Sequence, residues 1–217
     1  MKQLTNYQRV CGYLVKMFKA INEDYFMQEL ELPTITIQSS ARSYGHVSTQ
    51  KIWHSFDRAS HELNLSADFL DRPIEDIAAT LIHESLHMYA WQNGIKDTSN
   101  RGVYHNKAFK RLAEERGLLI SRHPKCGWTI TSPSEETMNF CIRHDFRDIQ
   151  LVRHSGTPYR GFSGGKRDNC PPASPPSAPR PSSTRKYICP CCKNSFRATK
   201  EIHVLCLDCN VPFIVAG

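Results

Sequence analysis

The 217-residue sequence has no apolar run that approaches a membrane span, for which about 20 consecutive apolar residues are needed. Its first residues, Met-Lys-Gln-Leu-Thr-Asn-Tyr7, hold neither a long apolar stretch nor a small-residue cleavage site, so no secretory leader is expected. Together these absences argue against a membrane or secreted protein, and the expectation is a soluble chain in the cytoplasm with no membrane partner. Disulfides do not persist in that reducing compartment, so the nine cysteines read as metal ligands and free thiols. Cys11, Cys126, Cys141 and Cys170 have no paired spacing and read as packing or incidental residues. Charge imbalance is also missing from the first 142 residues, which carry 16 Lys/Arg and 16 Asp/Glu. The formal net charge of +7 is concentrated in residues 143 to 186, with 9 Lys/Arg against 3 Asp/Glu.

What is present centres on Leu81-Ile-His-Glu-Ser-Leu-His87. Two histidines four apart on a helix stack on one face, where both imidazoles can reach one metal ion. Zinc suits neutral imidazole, and the intervening Glu84 can reach a water at the metal as a general base. The flanks support a helix. Pro73 stands in its first turn, Glu75 and Asp76 lie near the positive end of its dipole, and Gln92-Asn93-Gly94 reads as its end. Ile74, Ile77, Ala78, Leu81, Ile82 and Leu86 form a core-facing stripe, with His83 and His87 beside it. The competing reading is a core helix with two satisfied histidines.

A catalytic zinc needs a third protein ligand and an open position. The candidates are His105, at the start of a second helical pattern (Ala108, Phe109, Leu112, Ala113), and Glu114 or Glu115 further along it. A loop of about ten residues lets that helix fold back onto the first. Position favours His105, because the two glutamates sit late in the helix beside Arg116, where a solvated charged face is the plainer role. His46, His54 and His61 stand in strand or loop contexts and are read as non-ligands.

The C-terminal region carries a second pattern. Cys189 and Cys192 form one Cys-x-x-Cys pair, Cys206 and Cys209 another, and thirteen residues separate the pairs. Two such knuckles at this distance read as a tetrahedral structural zinc site, a zinc ribbon. So short a segment buries little core, and metal binding would supply its folding free energy. Cys191 is the alternative to Cys192, and the two-residue spacer favours Cys192.

Along the chain, Thr5-Asn-Tyr-Gln8 resembles a capping box, and apolar spacing predicts a first helix to about Leu30, broken by Pro33. Thr34 to Gln38, the region around Trp53 and His61 to Ser66 read as short antiparallel strands. Glu135 to Ile142 reads as a further helix of open role. Residues 171 to 181 hold six of the thirteen prolines and read, with the Gly-rich stretch before them, as an extended linker. Its basic charge has two readings, a solvated linker or a phosphate-binding segment beside the ribbon. On the second, Arg160, Lys166, Arg167, Arg185 and Lys186 are the nucleic-acid-binding candidates. Tyr159, Phe162, Tyr187 and Phe196 could stack on bases, which favours single strands.

The order of helix, strands ending in His-Glu-Leu-Asn-Leu-Ser66, Leu-Ile-His-Glu-Ser-Leu-His87, His105-x-x-x-Phe109 and a four-cysteine ribbon resembles the SprT-like family of zinc metallopeptidases. The Spartan proteases that clear DNA–protein crosslinks belong to that family, and this chain looks closest to members from bacteria and their phages. The resemblance implies an α+β fold: a zincin-like minimal metalloprotease domain (N-terminal helix, small antiparallel sheet, HExxH helix, second ligand helix) plus the ribbon. It implies a domain over residues 1 to 150, a linker over 151 to 186 and the ribbon over 187 to 217. His83, His87 and His105 would hold a catalytic zinc with Glu84 as general base, and Cys189, Cys192, Cys206 and Cys209 a structural zinc. Where many members have Gly after the third histidine, this chain has Asn106. The implied function is a zinc metalloendopeptidase acting on DNA-associated proteins, as in DNA repair, in a bacterial or phage-infected cytosol or at the nucleoid. The alternative is a zinc-stabilised nucleic-acid-binding accessory protein without proteolytic activity.

Overall fold

Asn6 starts the first helix, α1 (Tyr7–Phe26): its side-chain oxygen accepts the N–H groups of Gln8 and Arg9, so Asn6 alone caps α1 in place of the expected Thr5–Gln8 box. Val10, Leu14, Met17, Phe18 and Ile21 recur at helical spacing and are fully buried. The helix stops at Phe26, before the expected Leu30. Met27 and Gln28 turn into the left-handed region, with φ of 51° and 63°, and both donate their N–H to Asn22 O. The Asn22 side chain then holds Leu30 through both its N–H and C=O. The local turn, not Pro33, therefore ends the helix.

The computed structural model describes residues 3–40, 43–154, 185–198 and 200–215, and the chain divides into two units, Met1–Pro175 and Pro176–Gly217. In the first, β1 (Thr34–Gln38), β2 (Gly45–His54) and β3 (Ala59–Ser66) form a sheet in the order β1-β3-β2. The sheet is mixed rather than antiparallel as expected: β2 and β3 pair antiparallel, but β1 runs parallel to β3, with Thr34 beside Glu62 and Gln38 beside Ser66. The chain reverses between β1 and β2 and again between β2 and β3, so β1 and β3 run the same way once they are neighbours, and burial makes them neighbours. β3 has the most buried side chains of the three, Leu63 and Leu65 among them, and its backbone groups are best met by a neighbour on each side. It inserts between its hairpin partner and β1, which leaves β2 at the edge.

A 3-10 turn (Ala67–Phe69) leads to α2 (Ile74–Gln92), which ends at Asn93 as the sequence predicts. Its N-cap, Pro73, makes no side-chain bond, and the Ile74 N–H is met by Asp148 Oδ1 at 3.0 Å. A second sheet follows, in the order β4 (Thr98–Ser99), β5 (Tyr104–His105), β7 (Gly127–Ser132), β6 (Leu119–His123). α3 (Lys107–Glu115) joins β5 to β6 in the chain, and α4 (Glu135–Arg143) follows β7. α4 begins with a Ser134–Thr137 capping box and packs on α2, while its buried Phe140 meets Tyr25 of α1 edge-on. Phe146 and Ile149 join the same core, Gln150 N–H donates to Leu4 O and Arg153 N–H to Ala67 O. Cys126 is disulfide-bonded, so the expectation of metal ligands and free thiols alone fails at this position.

The second unit holds a small sheet, β12 (Ile214–Val215), β8 (Arg185–Ile188), β9 (Ser195–Ala198), and a hairpin of β10 (Leu205–Cys206) and β11 (Val211–Pro212). Tyr187 stacks on Phe196 with ring centroids 5.1 Å apart, and Phe213 meets Phe196 edge-on. These rings are one another's packing partners, and Tyr187 is buried, so base stacking by Tyr187 and Phe196 is not supported. Tyr159 and Phe162 lie outside the described residues. No helix among the described residues is long and apolar enough to cross a membrane.

Met27 carries a side chain in a left-handed conformation while 82% exposed. A left-handed residue with a Cβ costs about 1–2 kcal/mol, which glycine avoids. Met27→Gly should therefore raise stability by about 0.5–1 kcal/mol, read as an increase of about 1–4 °C in the thermal midpoint. A lower midpoint would mean that the methionine side chain contributes more than its backbone strain costs.

Candidate metal centre

Three imidazoles meet at one point. His83 and His87 lie on successive turns of α2, and His105 comes from β5. Nε2 of His105 lies 3.2 Å from Nε2 of His83 and 3.1 Å from Nε2 of His87. The sequence placed His105 at the start of a helix; it stands instead on a strand, one residue before the α3 cap. That cap is Asn106, whose side-chain oxygen accepts the N–H groups of Ala108 and Phe109 and whose amide donates to Lys96 O. With φ −90° and ψ −172° its backbone is ordinary and extended, so the position does not require glycine. What α3 contributes is Phe109, fully buried, whose ring centroid lies 4.6–4.8 Å from those of all three histidines. Burying a phenylalanine contributes roughly 1.5–3 kcal/mol, and here it also forms the surface on which the imidazoles rest.

The outward nitrogens fix the inward ones. His87 Nδ1–H donates to Asp97 Oδ2 at 2.5 Å, and His83 Nδ1–H donates to Thr131 Oγ1 at 2.7 Å. Each bond sets the tautomer that leaves an Nε2 lone pair facing the centre. Sequence reasoning missed both partners. Asp97 sits in what reads as a loop, and Thr131 lies 48 residues from His83; the weak hint was a carboxylate between the two helical patterns. β5 is held close to β7 at Gly127, whose φ is +71°, and a Cβ there would fall 2.0 Å from His105 O. Glycine is required at that position.

The electrostatics suit a cation. Burial, and then the neighbouring His105 and His87, hold His83 well below the usual imidazole range. Burial, followed by His87, lowers His105 to about 3 against the opposing pull of Asp97. Neutral imidazoles are the form that ligates metal. Burial raises Glu84 to about 7, opposed by His87 and by the N–H that Val47 donates to its carboxyl. The donor set of three convergent imidazole nitrogens, with Nδ1 anchors on His83 and His87 and a carboxyl beside them, fits zinc.

Glu114 and Glu115 stay outside this cluster and pair with Lys110 and Arg111 along the exposed side of α3. Among the described residues, His46, His54 and His61 join no metal-binding group. His46 lines the cleft that opens onto the centre, a space of about 470 Å³ bounded by β2, α2, the 101–103 segment and β7. In the second unit the thiols of Cys189, Cys192, Cys206 and Cys209 lie within 4.8 Å of one another. Burial opposes it, but N–H groups of Cys192 and Cys191 lower the Cys189 thiol to about 7, toward the thiolate that zinc binds. Arg185 and Lys186 are exposed on β8, whereas Arg160, Lys166 and Arg167 lie outside the described residues.

The SprT-like family model matches residues 14–124, half of the chain, and the chain belongs to that family, one associated with metallopeptidase-type domains. No curated protein and no solved structure matches it.

Two groups of this kind should bind about two equivalents of zinc per chain. His105→Ala should remove one equivalent, while Glu114→Ala and Glu115→Ala keep both. Cys206→Ser with Cys209→Ser should remove the other. Metal analysis of the purified variants checks this, and loss of zinc on changing either glutamate with retention in His105→Ala would reverse the ligand assignment.

Proposed function

We propose that this member of the SprT-like family is a zinc metalloendopeptidase with a zincin-like catalytic domain. The observation that carries the reading is Glu84. A purely structural zinc site has no use for a buried carboxyl beside its histidines, and Glu84 is almost fully buried within the cleft. His83, His87 and His105 would hold the zinc, which would supply Lewis acidity toward a water and a peptide carbonyl. Glu84, raised toward neutrality by burial, takes the proton of the attacking water and passes it to the departing amine nitrogen. Asp97 and Thr131 keep His87 and His83 oriented. Phe109 packs against all three imidazoles and keeps them in place.

A peptide could lie beside the sheet by strand addition. β3 has partners on both sides, whereas β2 is an edge strand and lines the cleft. The edge for an incoming strand is therefore the one holding Gly45 and Val47. Glu84→Gln should keep both zinc equivalents and cut an unstructured protein at least about a hundredfold more slowly than wild type. Undiminished cleavage by a folded, zinc-loaded variant would eliminate Glu84 as the base.

The finer reading is that DNA brings substrate and protease together. Its support is the basic excess between residues 143 and 186. Part of that charge is committed within the first unit, because Arg143 pairs with Asp24 and Arg147 with Asp145. A cut after Ile142 would also strip Phe146, Ile149 and the Asp148 cap of α2. The informative truncation ends at His154. It should keep zinc at the histidines and bind DNA weakly, while the full chain binds DNA with an affinity that falls steeply with salt. Equal affinity of both forms, or indifference to salt, would leave the basic stretch as a linker and the protein as a DNA-independent peptidase.

A further inference from the structure

One end of the cleft is built around a fixed cation. Arg72 lines it together with Tyr44, Gly45, Asp76 and Thr80. Its Nε–H donates to Phe69 O at 3.1 Å, its Nη2 donates to Thr80 Oγ1 at 3.0 Å, and its guanidinium carbon lies 3.9 Å from the centre of the Tyr44 ring. Three contacts on different sides fix the plane of the group. They leave Nη1 without a hydrogen bond to a described residue, and no carboxylate among those residues lies within ion-pair distance. Asp76 and Asp71 act on it through space, and Asp76 has a partner of its own. Burial pulls the guanidinium below its ordinary value, the sign of a charge that its surroundings solvate incompletely. A rigid, half-buried guanidinium with a free edge is suited to a carboxylate, which accepts two parallel N–H bonds.

The position of Arg72 relative to the reacting groups follows from β2. Val47 stands beside Glu84, to which it donates its N–H. Two residues earlier, Gly45 stands against Thr80, whose Cγ2 would be 3.1 Å from a Cβ at that glycine. Thr80 in turn bonds Arg72. Moving back along β2 from Val47 to Gly45 and Tyr44 therefore leads from Glu84 to Arg72. A peptide lying antiparallel to β2 runs the opposite way, so the residues after its cleaved bond pass Gly45 and arrive at Arg72. We infer that Arg72 recognises a carboxylate on the leaving-group side of the cleaved bond, supplied by an Asp or Glu side chain or by the C-terminus of the substrate. The inference rests on the proteolytic reading for its meaning, and on the cleft geometry for its chemistry.

The test uses the zinc-loaded full chain and matched peptides that differ by Glu or Gln at the positions following the cleaved bond, each with a free or an amidated C-terminus. The Glu peptides, or those with a free C-terminus, should be cut with kcat/KM about tenfold higher than their neutral partners. The two pairs separate a side-chain carboxylate from a terminal one. Arg72→Gln should bring the ratio to about one, and Arg72→Lys, which keeps the charge but not the fork, to an intermediate value. A merely structural Arg72 would lower all rates together and leave the ratio intact. Arg72 also ties the 3-10 turn to α2, so zinc content is the check on folding. Should Arg72→Gln not fold, the wild-type ratio at low and high salt decides, since an ionic preference shrinks with salt. Equal rates for all wild-type peptides overturn the inference, and a ratio that survives in folded Arg72→Gln assigns the recognition elsewhere. If no peptide is cut, the proteolytic reading fails, and calorimetry with the same peptides decides for Arg72: tighter, Arg72-dependent binding of the carboxylate forms upholds the anchor, and equal binding overturns it.

Discussion

Three imidazoles and a carboxyl line one small volume, an arrangement suited to a cation at its centre. Nε2 of His105 lies 3.2 Å from that of His83 and 3.1 Å from that of His87, and Glu84 is buried, with its carboxyl accepting the N–H of Val47. Much of the first unit serves to hold this arrangement. α2 supplies the turn spacing of His83 and His87, Phe109 supplies the floor, and Gly127 lets β7 approach closely enough to hold β5 and His105. Asp97 and Thr131 aim two of the rings. The Asp148 carboxylate closes the N-terminus of α2, the helix on which two of the ligands ride.

The part of the site set by helix periodicity was legible. Two histidines four apart and a glutamate between them lie on one face of any helix, whatever the rest of the chain does. His105 was legible by position and resemblance, but its setting was not: the residue stands on a two-residue strand, and a strand so short leaves no alternation to read. Asp97 and Thr131 were invisible because their roles depend on tertiary approach. The same holds for the sheet. Strand alternation marked β1 and β3 but is indifferent to direction and order, so the parallel pairing of β1 and the edge position of β2 appear only once β3 is seen between them. The early end of α1 was missed because Met27 and Gln28 take a left-handed turn that their residue types disfavour.

In the second unit, spacing alone brought forward four cysteines whose thiols lie together. A two-residue spacer closes a knuckle on one ion, and Cys189, Cys192, Cys206 and Cys209 do converge. The aromatic residues were less legible, because Tyr187 and Phe196 stack on each other and composition cannot separate a packed ring from a free one. Charge counts misled in a similar way, assigning Arg143 and Arg147 to a basic segment when both are paired within the first unit.

The proposed activity is hydrolysis of peptide bonds at the histidine centre. Its most direct measurement is labelling of newly formed amino termini after an unfolded protein is incubated with the full chain, followed by mass spectrometry. New termini should appear, vanish when a chelator strips the histidine site and return when zinc is restored. Absence of new termini while zinc is bound at His83, His87 and His105 would contradict it.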